Sequence, residues 1–385
     1  MIIDELRIIG SAQTATVMAA ECIRVATRAH IGRPPTPRKE GTGQLVYPFS
    51  MPLAQVAVRY LRTATRVLWD CWRSDARRLD DLYADLCDDI SADRRPVFVD
   101  GDTISIEPKR LFDFPAGDRQ IIGTVKNAMI ESARKRRIHL SLDPHGASTR
   151  WVVRQDDGGQ IVVSRDLGGG SLTQRGWRHQ QGEAPLREHL AAVLLMLCRY
   201  NPRQDTLLDP MCGSGTIPIE SVAMARGAAR PGVLGLSGLD ANDGQAPPAL
   251  FADASPLAIG CDVDLNVLRM ARDNARAAGV DDDVVLQRAD FADLTPALVD
   301  DIVAERGRTI DNGLIVVNPP YGERLDPGDL RLLYGMMADT LSKFRGWRAG
   351  FLVGSPEFEQ IFGRARIKQP LSNGQIRSYF YLYEF

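Results

Sequence analysis

The sequence predicts an α/β protein of at least two domains: an α+β front portion and, from about residue 185, a parallel sheet wrapped by helices. Three observations carry this. The chain has 385 residues, more than the ~250–300 at which a single core stops growing. Beyond Pro185, short apolar runs alternate with segments of helical period, the pattern of βαβ units. Before it, strand-like stretches and a hairpin turn are mixed with amphipathic helices.

Residues 1–45 carry little strand pattern. A helix is expected around Thr14–His30, and the basic loop Gly32–Lys39 contains Pro34, Pro35 and Pro37, which exclude helix. Order resumes at Val46. Val56, Tyr60, Leu61, Ala64, Val67 and Leu68 recur at helical spacing, so a helix is expected through Leu68, with Arg59, Arg62 and Arg66 mostly on its other side. A second helix, Leu79–Ile90, is acidic on its outer face. Val97–Val99 and Thr103–Ile106 read as strands. Ile121–Arg137 reads as a helix that ends in four cations, an arrangement the helix dipole favours. Trp151–Arg154 and Gln160–Ser164 flank Asp156-Asp157-Gly158-Gly159, a hairpin signal. Gly168–Gly170 then loosens the chain.

In the back half a helix over Leu186–Tyr200 leads into Thr206–Asp209. Strands are expected near 257–262, 284–288, 313–317 and 349–354, with helices near 216–226, 265–278, 328–345 and 356–362. Residues 375–385 alternate and are aromatic, as a late antiparallel strand would be. The Gly-, Pro- and Ala-rich stretch 227–256 reads as an insertion.

Apolar residues make up 44% and charged residues 25%, an ordinary globular composition. The formal net charge of -2 does not announce a polyanionic partner. Its distribution is uneven: residues 1–180 hold 27 Lys and Arg against 22 Asp and Glu, and the remainder 20 against 27. A basic module joined to an acidic one suits nucleic-acid holding plus chemistry, although such runs are also ordinary solvated faces. The six cysteines form no C-x-x-C pair and the five histidines are scattered, so reduced thiols and no metal are expected. Met1–Glu5 lacks a secretory pattern, and the longest apolar run, Leu190–Cys198, is too short for a bilayer. A cytoplasmic protein without membrane contact is expected.

Three motifs carry chemistry. Asp209-Pro210-Met211-Cys212-Gly213-Ser214-Gly215-Thr216 follows a strand and opens a helix, the place where open α/β sheets bind ligands. Proline at 218 departs from a dinucleotide fingerprint, and no Gly-Lys-Ser/Thr marks a phosphate loop. An acid at the strand tip repels phosphate and accepts from an ammonium group, which fits the amino-acid end of S-adenosylmethionine. Asp262, at the next strand tip, is placed for ribose hydroxyls, while Asp264 reads as a helix N-cap. Asp290 is a candidate for the adenine amino group, with Phe291 against the ring; the bland alternative for Asp290 is a loop cap.

The sharpest motif is Asn318-Pro319-Pro320-Tyr321, after the fourth strand. The prolines hold a stiff extended turn. The Asn318 side-chain oxygen and the Pro319 carbonyl can then accept both hydrogens of one amino group. That draws a conjugated nitrogen toward tetrahedral geometry and aims its lone pair at a methyl donor. Tyr321 offers a flat surface to a flipped-out base.

Together these residues resemble the THUMP-domain class I methyltransferases that modify guanine N2 in ribosomal or transfer RNA, some older members of which are labelled DNA adenine methylases. The similarity runs from about Leu61 to the C-terminus and includes Val125–Ala128, Ser164–Gly169, Arg175–Arg178, Ala184–Glu188, Asp209–Thr216, Asn318–Leu325 and Leu371–Gly374. It implies a Rossmann-like seven-strand methyltransferase domain at 171–385, preceded by a ferredoxin-like region at 1–80 and an RNA-binding THUMP module at 81–170. It further implies that Lys126, Arg134, Lys135, Arg136 and Arg137 are phosphate contacts, and that Pro185–Arg187 lies near the cofactor's methionine end. Three alternatives stay open: adenine N6 on RNA or DNA, a non-catalytic RNA-binding assembly factor, and methylation of a protein glutamine.

Overall fold

The computed structural model describes residues 1–385 except 110, 112, 179–185, 231–233, 237, 241–246, 321–326, 356 and 374–375. They form two compact units: Met1–Ile9 with Ala26–Leu172 and Arg230–Pro247, and Gly10–Val25 with Thr173–Ala229 and Pro248–Phe385. Helix α1 (Ala15–Arg28) belongs mostly to the second.

The first unit is built on one sheet of eight strands: β1 (Ile2–Ile9), β2 (Arg38–Glu40), β3 (Gln44–Pro48), β4 (Arg66–Ser74), β5 (Thr103–Lys109), β6 (Ser141–Leu142), β7 (Thr149–Gln155) and β8 (Ile161–Asp166). Their order is β2-β3-β1-β4-β8-β7-β5-β6. Residues on both sides of position 80 share this sheet, because β4 pairs antiparallel with β8. Helices α2 (Met51–Tyr60), α3 (Leu79–Ala92) and α4 (Asp118–Lys135) complete the unit.

Three expectations are corrected here. Helical spacing through Leu68 breaks at Leu61, which caps α2 in extended conformation; Val67 and Leu68 lie on β4. That strand is buried along nearly its whole length, so no polar alternation marks it. Residues 1–45 contain β1, a central strand between β3 and β4. Val97 and Phe98 form no strand. They are buried plugs, and the Phe98 ring lies 5.7 Å from Trp72 and 5.2 Å from Trp151. The expected hairpin is present: Gln155 faces Ile161, and Asp156 Oδ1 accepts from the Gly158 and Gln160 amides.

A polar cluster crosses the middle of this sheet. Buried Asp70 on β4 accepts from Arg7 Nε of β1 at 2.8 Å, Arg154 Nη2 of β7 at 2.7 Å and Ser164 Oγ of β8 at 2.6 Å. Each removed charge therefore has a partner, without which burial would cost several kcal/mol.

The second unit holds β9 (Asp205–Asp209), β10 (Ala258–Asp262), β11 (Val284–Arg288), β12 (Asn312–Val317), β13 (Arg348–Val353), β14 (Ile367–Asn373) and β15 (Ile376–Glu384). The order is β11-β10-β9-β12-β13-β15-β14. The first five strands are parallel, and β15 runs antiparallel to both β13 and β14. Helices α5 (Glu188–Leu197), α6 (Thr216–Arg226), α7 (Leu265–Ala277), α8 (Pro296–Ala304), α9 (Pro327–Leu341) and α10 (Phe358–Phe362) connect them. Two apolar clusters pack about the sheet, one centred on α5 and α6, the other on α8, α9 and the aromatic residues of β13 and β15. Strand β14 and helix α8 had no counterpart among the sequence expectations. β14 is an exposed edge with Lys368 and Pro370, residues that discourage further pairing. All six cysteines are buried and free. Among the described residues no helix is long and apolar enough to cross a membrane, and no His, Cys, Asp and Glu group is arranged for a metal.

Candidate active site

After β9 the chain leaves for β10 and β11 on one side, then returns to β12 on the other. The sheet's switch point therefore lies between β9 and β12, and ligands of open α/β sheets bind outside the carboxyl ends at such points. Asp209, Asp262 and Asn318 come from the carboxyl ends of adjacent strands there, and Asp290 follows β11 at the flank.

Asp209 is buried, and its Oδ1 accepts from the Met211 amide at 3.2 Å. Burial pushes its carboxyl well above the usual range; the nearby Asp262 charge adds to this, and the Met211 bond opposes it. A cation arriving there would relieve the strain on that group. The loop that follows turns on two left-handed glycines, Gly213 at φ 53° and Gly215 at φ 84°. A Cβ on Gly215 would stand 3.1 Å from Ala271 Cβ, so helix α7 packs against this glycine. A Cβ on Gly213 would meet nothing within 4 Å. Gly215 thus serves the fold, and Gly213 leaves open space beside the backbone. Cys212 is buried, with its amide on the Cys261 carbonyl at 2.8 Å. The Ser214 carbonyl accepts from Asn274 Nδ2 at 3.1 Å.

The two Asp262 oxygens accept from the amides of Gly213 at 3.1 Å and Asp264 at 3.0 Å, which ties the second strand tip to the glycine loop. Asp264 caps α7 through the Asn266 amide at 2.7 Å. Asp290 is exposed and caps a short turn through Ala292. Phe291 is only 3% exposed and belongs to the apolar cluster that also holds Leu208, Ile259 and Cys261.

Asn318 is half-buried, Pro319 buried and Pro320 exposed; Tyr321 lies outside the described residues. The Asn318 Oδ1 atom is buried and has no hydrogen-bond partner among the described residues. Leaving such an acceptor unmatched costs about 1–3 kcal/mol, a debt that a bound donor would remove.

Sequence reasoning missed a polar frame behind the loop. Arg178 Nη2 donates to Thr216 Oγ1 and to the Leu186 carbonyl, each at 2.8 Å, and its Nε lies 3.2 Å from Glu188. Arg175 pairs with Glu220 at 3.3 Å, and both are buried. The only signal was the pair of arginines in Arg175-Gly176-Trp177-Arg178. The basic residues of α4 are dispersed in their roles. Arg134, Lys135 and Arg137 are exposed, with Lys135 on Glu131 at 3.2 Å. Lys126 is half-buried, and Arg136 is half-buried with Nη2 on the Arg95 carbonyl at 3.4 Å. Arg136 is thereby occupied within the fold.

The second unit's sheet order and carboxyl-edge loops define a Rossmann-like, class I methyltransferase fold, a class whose cofactor is S-adenosylmethionine. The chain belongs to the RMKL-like methyltransferase domain family, which it matches over residues 175–378. It is 34% identical over 275 residues to the ribosomal RNA large subunit methyltransferase K/L of Syntrophotalea carbinolica, covering 66% of this chain and 37% of that protein. This relative and four further ribosomal RNA large subunit methyltransferases K/L are much longer, and the chain spans about a third of their length. Among solved structures, a predicted N6-adenine-specific DNA methylase from Listeria monocytogenes superposes with a TM-score of 0.78 at 23% identity, covering 99% of this chain and 96% of that one. SMU.472, assigned as a methyltransferase and solved with S-adenosylhomocysteine, superposes at 0.76 and 23% identity over 100% and 98% of the two chains. At these identities the likeness is one of fold.

Proposed function

We propose that the chain transfers a methyl group from S-adenosylmethionine to an exocyclic amino nitrogen of a base in structured RNA, with guanine N2 of ribosomal or transfer RNA as the target. The observation that carries this reading is the buried Asn318 Oδ1, without a partner among the described residues, at the end of β12, the strand adjacent to β9 and its glycine loop. The cofactor fits the residues present: Asp209 for its ammonium group, the open backbone at Gly213 for close approach, and Asp262 at the ribose. When bound, it supplies an electrophilic methyl group on a sulfonium. Asn318 Oδ1 and the Pro319 carbonyl accept the two hydrogens of the target amino group and turn its lone pair toward that methyl. The rate gain is one of positioning and electrostatics rather than of a dedicated base. RNA as substrate is supported by the likeness to ribosomal RNA large subunit methyltransferases K/L.

The test is nucleoside mass spectrometry of ribosomal and transfer RNA treated with the protein and labelled cofactor. N2-methylguanosine is expected, and N6-methyladenosine would move the target to adenine. Asn318→Ala should lower turnover by at least about 100-fold, the scale of losing one preorganised hydrogen bond in a transition state, while cofactor affinity by calorimetry stays within threefold. Undiminished turnover would remove Asn318 from the reaction.

A further inference from the structure

We infer that Arg178 is a positioning residue for cofactor binding: its guanidinium ties the first turn of α6, where the glycine loop ends, to the start of α5. This rests on the cofactor reading above.

One guanidinium, in a side chain only 7% exposed, reaches three groups at the starts of two helices. Nη2 donates to Thr216 Oγ1, on the residue directly after Gly215, and to the Leu186 carbonyl just before α5. Nε lies beside Glu188, the first residue of α5. Its plane also lies over Trp177, 5.3 Å from that ring. Arg175 grips Glu220. Thr216 and Glu220 are four residues apart and so share one face of α6. Residues 175–178 are therefore bolted to that face at two successive turns.

The glycine loop needs such a fastening. Gly213 and Gly215 both sit in the left-handed region and supply no side chain that could hold the turn in place. The N-cap of α6 is Gly215 itself, which has no side chain to cap the helix. The loop's position is set from outside: by Asp262 on the Gly213 amide, by Asn274 on the Ser214 carbonyl and by Arg178 on Thr216. The first two hold backbone from the β10–α7 side, whereas Arg178 on Thr216, like Arg175 on Glu220, joins α6 to the chain that precedes α5. A displacement of even 1 Å in a binding loop can cost orders of magnitude in function.

The experiment measures S-adenosylhomocysteine affinity by calorimetry on the full chain for wild type, Arg178→Ala, Arg178→Lys, Thr216→Val and the double variant Arg178→Ala/Thr216→Val. Arg178→Ala should weaken binding at least tenfold. Lysine should restore part of it, since a single ammonium meets fewer of the three groups than the planar fork. Thr216→Val should weaken binding at least threefold, and the double variant should be no worse than Arg178→Ala, because both changes break one bond. In RNA methylation assays the apparent KM for the cofactor should rise while kcat at saturation stays within threefold. An Arg178→Ala affinity within twofold of wild type, or effects of the two single changes that simply add, overturns the inference. Should Arg178→Ala fail to fold, Thr216→Val decides: unchanged affinity overturns it. Wild-type protein that does not bind S-adenosylhomocysteine overturns the cofactor reading, and this inference with it.

Discussion

Single side chains at the carboxyl edge divide into those already satisfied and those waiting for a partner. Asp262 has both oxygens on backbone amides, whereas Asp209 has one weak bond and a carboxyl raised by burial. This difference makes a prediction. An ammonium group placed beside Asp209 lowers its pKa again, so cofactor binding at a pH below the raised value must release a proton. Affinity then climbs with pH and levels off once Asp209 is ionised beforehand. In the cofactor-free protein the sign is opposite: the raised carboxyl favours folding fully at pH values below its ordinary pKa, and that contribution fades as pH rises through the raised one. Calorimetry in two buffers of different ionisation enthalpy reads the released proton, and Asp209→Asn should abolish it. Equal enthalpies in both buffers would detach Asp209 from the cofactor.

The elements set these side chains through two glycines with opposite tasks. At Gly215 a methyl group meets α7 and also inherits a left-handed φ. Gly215→Ala should cost about 1–2 kcal/mol in conformation and about 1–3 kcal/mol in overpacking. At Gly213 only the conformational part applies, because nothing stands within 4 Å. Gly213→Ala should therefore be the less destabilised variant in denaturant melts and yet lose more cofactor affinity, since its methyl fills the open space at the backbone. The reverse ranking would mean that the open space is not where the ligand lies. At this scale the parallel strands β9 to β13 were readable, because each is a short apolar run set off from an amphipathic helix. β4 was not: its neighbours bury both faces, and the preceding helix lends it a false periodicity. β1 escaped for a related reason, with buried Arg7 sitting among its apolar residues and finding its partners only across the sheet.

Across the whole molecule, the positive excess of residues 1–180 includes the cluster at the end of α4. Arg134, Lys135 and Arg137 are exposed at the end of α4, while Arg136 is spent on the fold. If the first three meet phosphate, Arg134→Glu/Lys135→Glu/Arg137→Glu should weaken RNA binding and flatten the dependence of log Kd on log salt by about 0.7–0.9 per lost contact. A titration at several salt concentrations measures both. An unaltered slope would make the cluster an ordinary solvated helix end.

Local chemistry was determined by the sequence alone: the glycine turn, the acids at strand tips, the stiff Asn318-Pro319-Pro320 turn and the alternation that builds a parallel sheet. Each depends on backbone preferences and on neighbours close along the chain. Tertiary structure decided what depends on distant neighbours. It sent Phe291 into the core, set Arg136 half-buried against the Arg95 carbonyl, left Asn318 Oδ1 buried without a partner among the described residues, and brought Arg178 to Thr216. Burial and long-range hydrogen bonding are properties of the packed chain, and no local pattern encodes which partner a side chain will meet.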